Sequence, residues 1–111
     1  MRVQRQLVGT VEVIAPSAAL ADEDVEQFSK VIKELLTAPN PRLVFDMAEV
    51  AYMDSAALES FLEFSDELAN RAARLKLARV TSTCREIFDL VGITDRFVFF
   101  EDVHHAVRSF L

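Results

Sequence analysis

The sequence predicts an α/β fold, with one domain over residues 1–111 containing a mixed, mainly parallel sheet of four to five strands packed with about four helices. Two observations predict this architecture. Apolar stretches typical of strands alternate along the chain with stretches in which apolar residues recur with the 3.6-residue period of a helix. This alternation favours a mainly parallel sheet. The 111 residues are also the size of one ordinary domain, and no repeat, linker or low-complexity segment divides them.

The first part of the chain predicts strands followed by a helix. Leu7–Ile14 is rich in valine and is typical of one or two short strands, with a turn or bulge at Gly9. After a break at Pro16, acidic residues at 22–24 begin a helix, because carboxylates in a first turn complement its free N–H groups. Pro39–Pro41 ends the helix. Its apolar residues recur at helical spacing: Val25, Phe28, Val31, Ile32, Leu35 and Leu36.

The middle of the chain predicts a buried strand followed by the most regular helix. Leu43–Phe45 is wholly apolar, as in a buried strand that ends near Asp46 and Met47. From Ala56 the period becomes helical, with apolar and small residues on one face and acidic residues on the other. The apolar face comprises Leu58, Phe61, Leu62, Ser65, Leu68, Ala69 and Ala72.

The last part predicts strand, helix, strand and helix. In Leu75–Val80, apolar residues tend to alternate with polar ones, which is typical of a strand with one solvent-exposed face. Thr83–Glu86 has the spacing of a capping box, which predicts a helix start, and Gly92 stands where a left-handed residue would end that helix. Phe97–Phe100 is typical of a buried strand, and Val103–Leu111 of a last amphipathic helix.

The charge balance disfavours two classes of partner. The chain carries 12 Lys and Arg against 18 Asp and Glu, a net charge of −6. Nucleic-acid binding and attraction to anionic membranes both depend on basic surfaces. No apolar run approaches the roughly 20 residues of a membrane-spanning helix. We therefore expect neither nucleic-acid binding nor membrane insertion.

Glycine and cysteine usage narrows the possible chemistry further. Only two glycines are present, Gly9 and Gly92, so the glycine-rich loops that cradle phosphates in nucleotide-binding enzymes are absent. Cys84 is the single cysteine, so the chain forms no internal disulfide and no cysteine zinc cluster.

The strongest candidate site is formed by Asp46 and the segment Tyr52–Leu58, between the end of a strand and the start of a helix. In open α/β sheets this is the edge where ligands and partners usually bind. A phosphate on Ser55 would meet a helix N-terminus, which tolerates anions. The alternative is structural, because Asp54 or Ser55 would serve equally well as a helix cap.

Other reactive residues favour structural interpretations. His104 and His105 are adjacent and lack the i, i+4 spacing of helical zinc sites, so a solvated helix face is expected. Cys84 has no base nearby in sequence and is expected to be a small buried residue. The carboxylates of the central helix are expected on its solvated face: Glu59, Glu63, Asp66 and Glu67. We predict no catalytic residue and no metal site.

Two stretches of the chain resemble the signature of STAS domains. In that family a strand ending in Asp is followed by an apolar pair, Asp-Ser, two small residues and Leu. Leu43–Asp46 and Tyr52–Leu58 reproduce this order. Arg85–Phe97 is similar to the family's next helix and loop. The resemblance covers nearly the whole chain.

The resemblance implies a cytoplasmic regulatory module of bacterial transcription that has no catalytic activity and no cofactor. Stand-alone members are typically anti-sigma factor antagonists, which bind a serine-kinase anti-sigma factor and release the sigma factor. The kinase then phosphorylates the serine of the motif, here Ser55, and the complex dissociates. The antagonist itself is expected to be a monomer or weak homodimer. The partner-binding residues implied by the motif are Asp46, Met53, Asp54, Ser55, Ala56, Ala57 and Glu59.

Two segments depart from the family pattern. Ala56 and Ala57 stand where many members have Ser-Gly, and Ala15–Ala18 stands where antagonists have a Gly-x-Leu-Asp turn. An alternative within the family is therefore a non-phosphorylated accessory subunit that binds the ATPase of a phospholipid ABC transporter. A third hypothesis, from another class, is a small enzyme or nucleotide-binding protein that uses Ser55, although no base is evident near it.

Overall fold

The computed structural model describes residues 2–111, so Met1 of the predicted domain lies outside the described residues. The chain begins with an antiparallel hairpin of β1 (Val3–Val8) and β2 (Val11–Pro16). Gly9 lies in the turn with φ of +63°, a left-handed conformation that glycine adopts without steric cost. Of the two predicted interpretations of Gly9, the turn is therefore confirmed.

Three further strands extend the sheet in parallel. They are β3 (Leu43–Asp46), β4 (Leu75–Ala78) and β5 (Phe97–Phe100). The strand order is β1-β2-β3-β4-β5, and every pair except the hairpin is parallel. The predicted mixed, mainly parallel sheet is confirmed, with five strands.

Four α-helices connect the parallel strands and close the chain. They are α1 (Glu23–Leu35), α2 (Ser55–Ala69), α3 (Ser82–Val91) and α4 (Val103–Arg108), and a short 3₁₀ turn precedes β5. Gly92 caps α3 with φ of +79°, as the sequence predicts.

The sheet is covered unequally on its two faces. Residues of α1, α2 and α3 pack on one face, where Phe61 lies 5.6 to 6.2 Å, between ring centroids, from four other buried phenylalanines. On the other face Ala106 of α4 packs against a smaller cluster from the strands. The four rings around Phe61 are Phe28, Phe45, Phe88 and Phe97.

Several predicted details of the elements are wrong. The cap of α3 is Thr81 rather than Thr83, which lies inside the helix. α1 ends at Leu35, before the prolines, and β4 ends at Ala78 rather than Val80. In β5 only Phe97 is buried and the other three residues are half-buried, because β5 is an edge strand with no neighbour on its outer side.

Candidate functional site

The connection between β3 and α2 carries the candidate site at the carboxyl end of the sheet. Asp54 is the N-cap of α2, and its Oδ1 accepts a hydrogen bond from the N–H of Ala57 at 2.9 Å. The capping role that the sequence allowed for Asp54 is therefore present. Ser55 is the first residue of the helix and is exposed.

Asp54 also contacts the start of α1. Its Oδ2 accepts a hydrogen bond from the backbone N–H of Asp22 at 2.9 Å. The two backbone donors, Asp22 first and Ala57 second, hold the pKa of the Asp54 carboxyl below its ordinary value. One carboxylate thus fixes the beginnings of two helices relative to each other.

The backbone on both sides of Asp54 pairs with the segment before α1. Leu20 forms an isolated parallel bridge with Met53, and its N–H donates to the carbonyl oxygen of Tyr52 at 3.1 Å. The N–H of Asp54 in turn donates to the carbonyl of Leu20 at 3.0 Å. Of the segment Ala15–Ala18, the residues up to Pro16 belong to β2, and the residue paired with Met53 is Leu20.

The residues implied as partner-binding divide into exposed and buried groups. Ser55 and Ala56 are exposed, and Glu59 lies one helical turn after Ser55 on the same face. Met53 and Ala57 are buried, with exposed fractions of 5% and 0%, so their side chains support the surface from beneath.

Asp46 belongs to the supporting group as well. Its carboxylate receives two hydrogen bonds from Arg79, from Nε to Oδ1 at 3.0 Å and from Nη2 to Oδ2 at 2.5 Å. These bonds raise the pKa of the Arg79 guanidinium above its ordinary value. Oδ1 also accepts from the N–H of Ala48 at 3.3 Å. Since only 12% of the Asp46 side chain is exposed, it fixes the beginning of the loop that leads to Ser55.

A third set of contacts fixes the middle of this loop. The carbonyl oxygen of Val50 accepts hydrogen bonds from Thr81 Oγ1 at 3.0 Å and from Cys84 Sγ at 3.2 Å. Burial raises the pKa of the Cys84 thiol, so the thiolate that a nucleophile needs is disfavoured. The sequence analysis did not identify Thr81 and Arg79, although Arg79 directly follows β4, the strand beside β3, and Thr81 comes two residues later.

The surface next to Ser55 is concave, acidic and partly aromatic. A concavity of about 600 Å³ lies beside the start of α1. The ring of Tyr52, 50% exposed, lines one side of it, and Asp22 and Glu23 are exposed on the other. Asp54 precedes Ser55 as the N-cap of α2 and Glu59 follows it by about one helical turn, so carboxylates stand on both sides of the serine along the chain.

The other reactive residues lie elsewhere in the fold. His105 is exposed on α4, and its Nδ1 lies 2.7 Å from a carboxylate oxygen of Asp102, the N-cap of that helix. Within residues 2–111, no group of three or more His, Cys, Asp or Glu side chains has the arrangement of a metal site. Among the same residues, no helix has the length and apolar character needed to cross a bilayer.

Comparison with known proteins gives a family and a fold. The STAS domain family model matches residues 3–106. No curated protein has significant sequence similarity to the chain.

Solved structures with this fold include anti-sigma factor antagonists. A STAS domain protein of that description from Planctomyces limnophilus superposes with a TM-score of 0.85 at 18% identity, over 96% of each chain. An antagonist from Mycobacterium paratuberculosis gives 0.84 at 16% identity, over 97% of this chain and 92% of that one. The Bacillus cell fate determinant SpoIIAA in its phosphorylated form gives 0.76 at 20% identity, over 99% and 100%. At these identities the likeness shows the fold.

Proposed function

The chain belongs to the STAS domain family, and we propose that it acts as an anti-sigma factor antagonist switched by phosphorylation of Ser55. In the unphosphorylated state it binds a serine-kinase anti-sigma factor. Transfer of a phosphate from ATP to the Ser55 hydroxyl dissociates the complex. The domain supplies the binding surface and the acceptor hydroxyl, and the partner supplies the kinase chemistry.

The observation that carries this proposal is the position of Ser55. It is exposed at the first residue of α2, and its hydroxyl has no hydrogen-bond partner within residues 2–111. Ala56, beside it, is small and also exposed, so a partner can approach the backbone closely. Asp54 performs the capping of the helix, which leaves the Ser55 hydroxyl free to react.

Phosphorylation at this position would weaken a close interface without unfolding the domain. A phosphate adds a charge of about −1.5 to −2, which must be desolvated when a partner covers it. The carboxylates of Asp54 and Glu59 add like charge and cannot compensate for that cost. A coupling free energy of about 3 kcal/mol would weaken binding more than a hundredfold. The N-terminus of α2 tolerates the anion, so the fold is retained.

The test uses the purified chain with a serine-kinase anti-sigma factor from the same genome and ATP. We expect one phosphate per chain, located on Ser55 by mass spectrometry of the peptide. Ser55→Ala should bind the kinase and accept no phosphate, and Ser55→Asp should bind at least about a hundredfold more weakly. Ser82→Asp is the matched control, because Ser82 is also exposed and also the first residue of a helix.

Two results would overturn the proposal. The first is wild-type affinity of Ser55→Asp for the kinase. The second is stable co-purification of the chain with the ATPase subunit of a transporter and no phosphate on Ser55, which is the result that the accessory-subunit hypothesis predicts.

A further inference from the structure

The outer edge of β1 is open to another strand. We propose that β1 pairs antiparallel with β1 of a second copy of this chain, about a twofold axis at Arg5, which joins two sheets into one. β1 lies at the end of the strand order, and all of its residues after Val3 are exposed. An edge strand with free backbone groups is a template for pairing with another chain. The proposal uses none of the residues around Ser55.

Alternate residues of β1 direct their backbone N–H and carbonyl groups away from β2. Because the hairpin turn has two residues, Val8 and Val11 form a hydrogen-bonded pair, and such pairs recur at every second residue. The N–H of Ser17 donates to the carbonyl of Arg2 at 2.9 Å, which agrees with this phase. The residues between these pairs present one N–H and one carbonyl each at the open edge of the sheet. They are Val3, Arg5 and Leu7.

The sequence of β1 is complementary to its own reverse. Val3–Leu7 reads apolar, amide, arginine, amide, apolar in both directions. Antiparallel pairing about Arg5 therefore places Val3 opposite Leu7 of the second copy, and Gln4 opposite Gln6 of that copy. The apolar pair lies on the face of the sheet that carries α1, since Val3 packs against that core. The amide pair lies on the other face, where each side chain can both donate and accept.

The side chains of β1 favour this pairing and do not oppose it. Leu7 is 64% exposed, and contact with Val3 of the second copy would remove apolar surface from water. Arg5 is the one charged residue of the strand, and its Nη1 lies 3.8 Å from Glu34 Oε2. The two arginines that meet at the axis are therefore accompanied by two carboxylates. β1 carries no lysine or proline, and its register with β2 has no bulge, so the usual devices that block strand addition are absent from it.

The interface is small, so the dimer is expected to be weak. A stable interface buries roughly 1,200–2,000 Å². A strand of six residues is about 20 Å long and supplies less than this. We expect a dissociation constant on the order of 100 µM.

The test is sedimentation equilibrium of the purified chain from about 10 µM to about 1 mM, a range that spans the expected dissociation constant. Amide hydrogen exchange, measured by NMR at both ends of this range, identifies the strand. We expect dimers at the upper end, with slower exchange of the N–H groups of Val3, Arg5 and Leu7. The N–H groups of Gln4 and Gln6 bond to β2 and should change little.

Three variants assign the dimer to the edge of β1. Arg5→Pro removes an N–H that β2 does not use, so it should abolish the dimer and retain the fold. Leu7→Lys leaves the backbone intact, places a charge opposite Val3 of the second copy, and should weaken the dimer at least about tenfold. Leu90→Lys is the matched control, because Leu90 is 87% exposed on α3, and it should dimerise as the wild type does.

Three results would overturn this proposal: a monomer at about 1 mM, an equal loss of association in Leu90→Lys, or growth beyond two copies. The first shows that the edge stays unpaired, and the second indicates general apolar attraction. The third indicates pairing of β1 with the other edge strand, β5, which does not close. Ser55→Asp should dimerise as the wild type does, so failure here and failure of the antagonist proposal are separately visible.

Discussion

The Asp54 carboxylate accepts a hydrogen bond from the backbone N–H of Asp22, 32 residues earlier in the chain, at 2.9 Å. This contact joins the residue before Ser55 to the residue before α1. Asp22 has φ of +54° and ψ of −127°, a conformation that residues other than glycine rarely adopt. The bond from Asp54 helps to hold it. The surface around Ser55 is thus assembled from two loops that depend on one carboxylate.

We predict that Asp54→Ala lowers the free energy of unfolding more than Asp54→Asn does. Alanine loses both hydrogen bonds, whereas asparagine retains an oxygen that can cap α2. Urea unfolding followed by circular dichroism at neutral pH would measure both variants. Equal stability of Asp54→Ala and the wild type would contradict the prediction.

The same carboxylate gives a pH dependence of known sign. Its pKa is lowered in the folded protein, so the folded state binds this proton less readily than the unfolded state does. Its stabilisation is therefore fully present above the ordinary value of 3.8 and is lost as the pH falls through the lower, folded value. In acid, the difference in stability between the wild type and Asp54→Asn should shrink.

We predict that Asp22→Gly raises the free energy of unfolding by up to about 1 kcal/mol. The positive φ costs a non-glycine residue about 1–2 kcal/mol, and glycine removes this cost. Part of the gain is lost because glycine has greater conformational entropy in the unfolded chain. Thermal and urea unfolding would show the gain. Glu26→Gly, at an exposed position inside α1, is the control and should lose about 1 kcal/mol. A loss of stability in Asp22→Gly would show that the aspartate conformation carries no strain.

We predict that Thr81→Ala lowers the free energy of unfolding by about 2 kcal/mol. The hydroxyl caps α3 by accepting from the N–H of Cys84, and it donates to the carbonyl of Val50 in the loop before Ser55. A cap and an added hydrogen bond each contribute about 1 kcal/mol. Thr81→Ser retains the hydroxyl and should lose much less. Equal destabilisation of the two variants in urea would assign the effect to the methyl group instead.

Much of this fold follows from local patterns in the sequence. Ser55 begins a helix because Asp54 precedes it as a cap and Leu58 and Phe61 follow at helical spacing. Gly92 ends α3 because the required left-handed conformation suits glycine. These features depend on residues within a few positions of each other, so periodicity and capping rules are sufficient to find them.

The composition of the site was less predictable than its location. Met53 and Ala57 belong to the motif and yet are buried. Both Thr81 and Thr83 carry a hydroxyl that could cap the start of a helix. In the folded chain the backbone is extended at Thr81, so Thr81 is the N-cap of α3. In the same way, Phe97–Phe100 is as apolar as a central strand, and its half-exposed face follows from its place at the edge of the sheet.

The sequence by itself determined the alternation of strands and helices, the family, and a serine at the start of the central helix. The tertiary structure alone decided which distant residues fix the loop before that serine: Asp22 beside Asp54, and Arg79 on Asp46. The physical reason is distance along the chain. Asp54 and Asp46 meet partners 32 and 33 residues away, and such contacts depend on strand order and helix placement rather than on local periodicity.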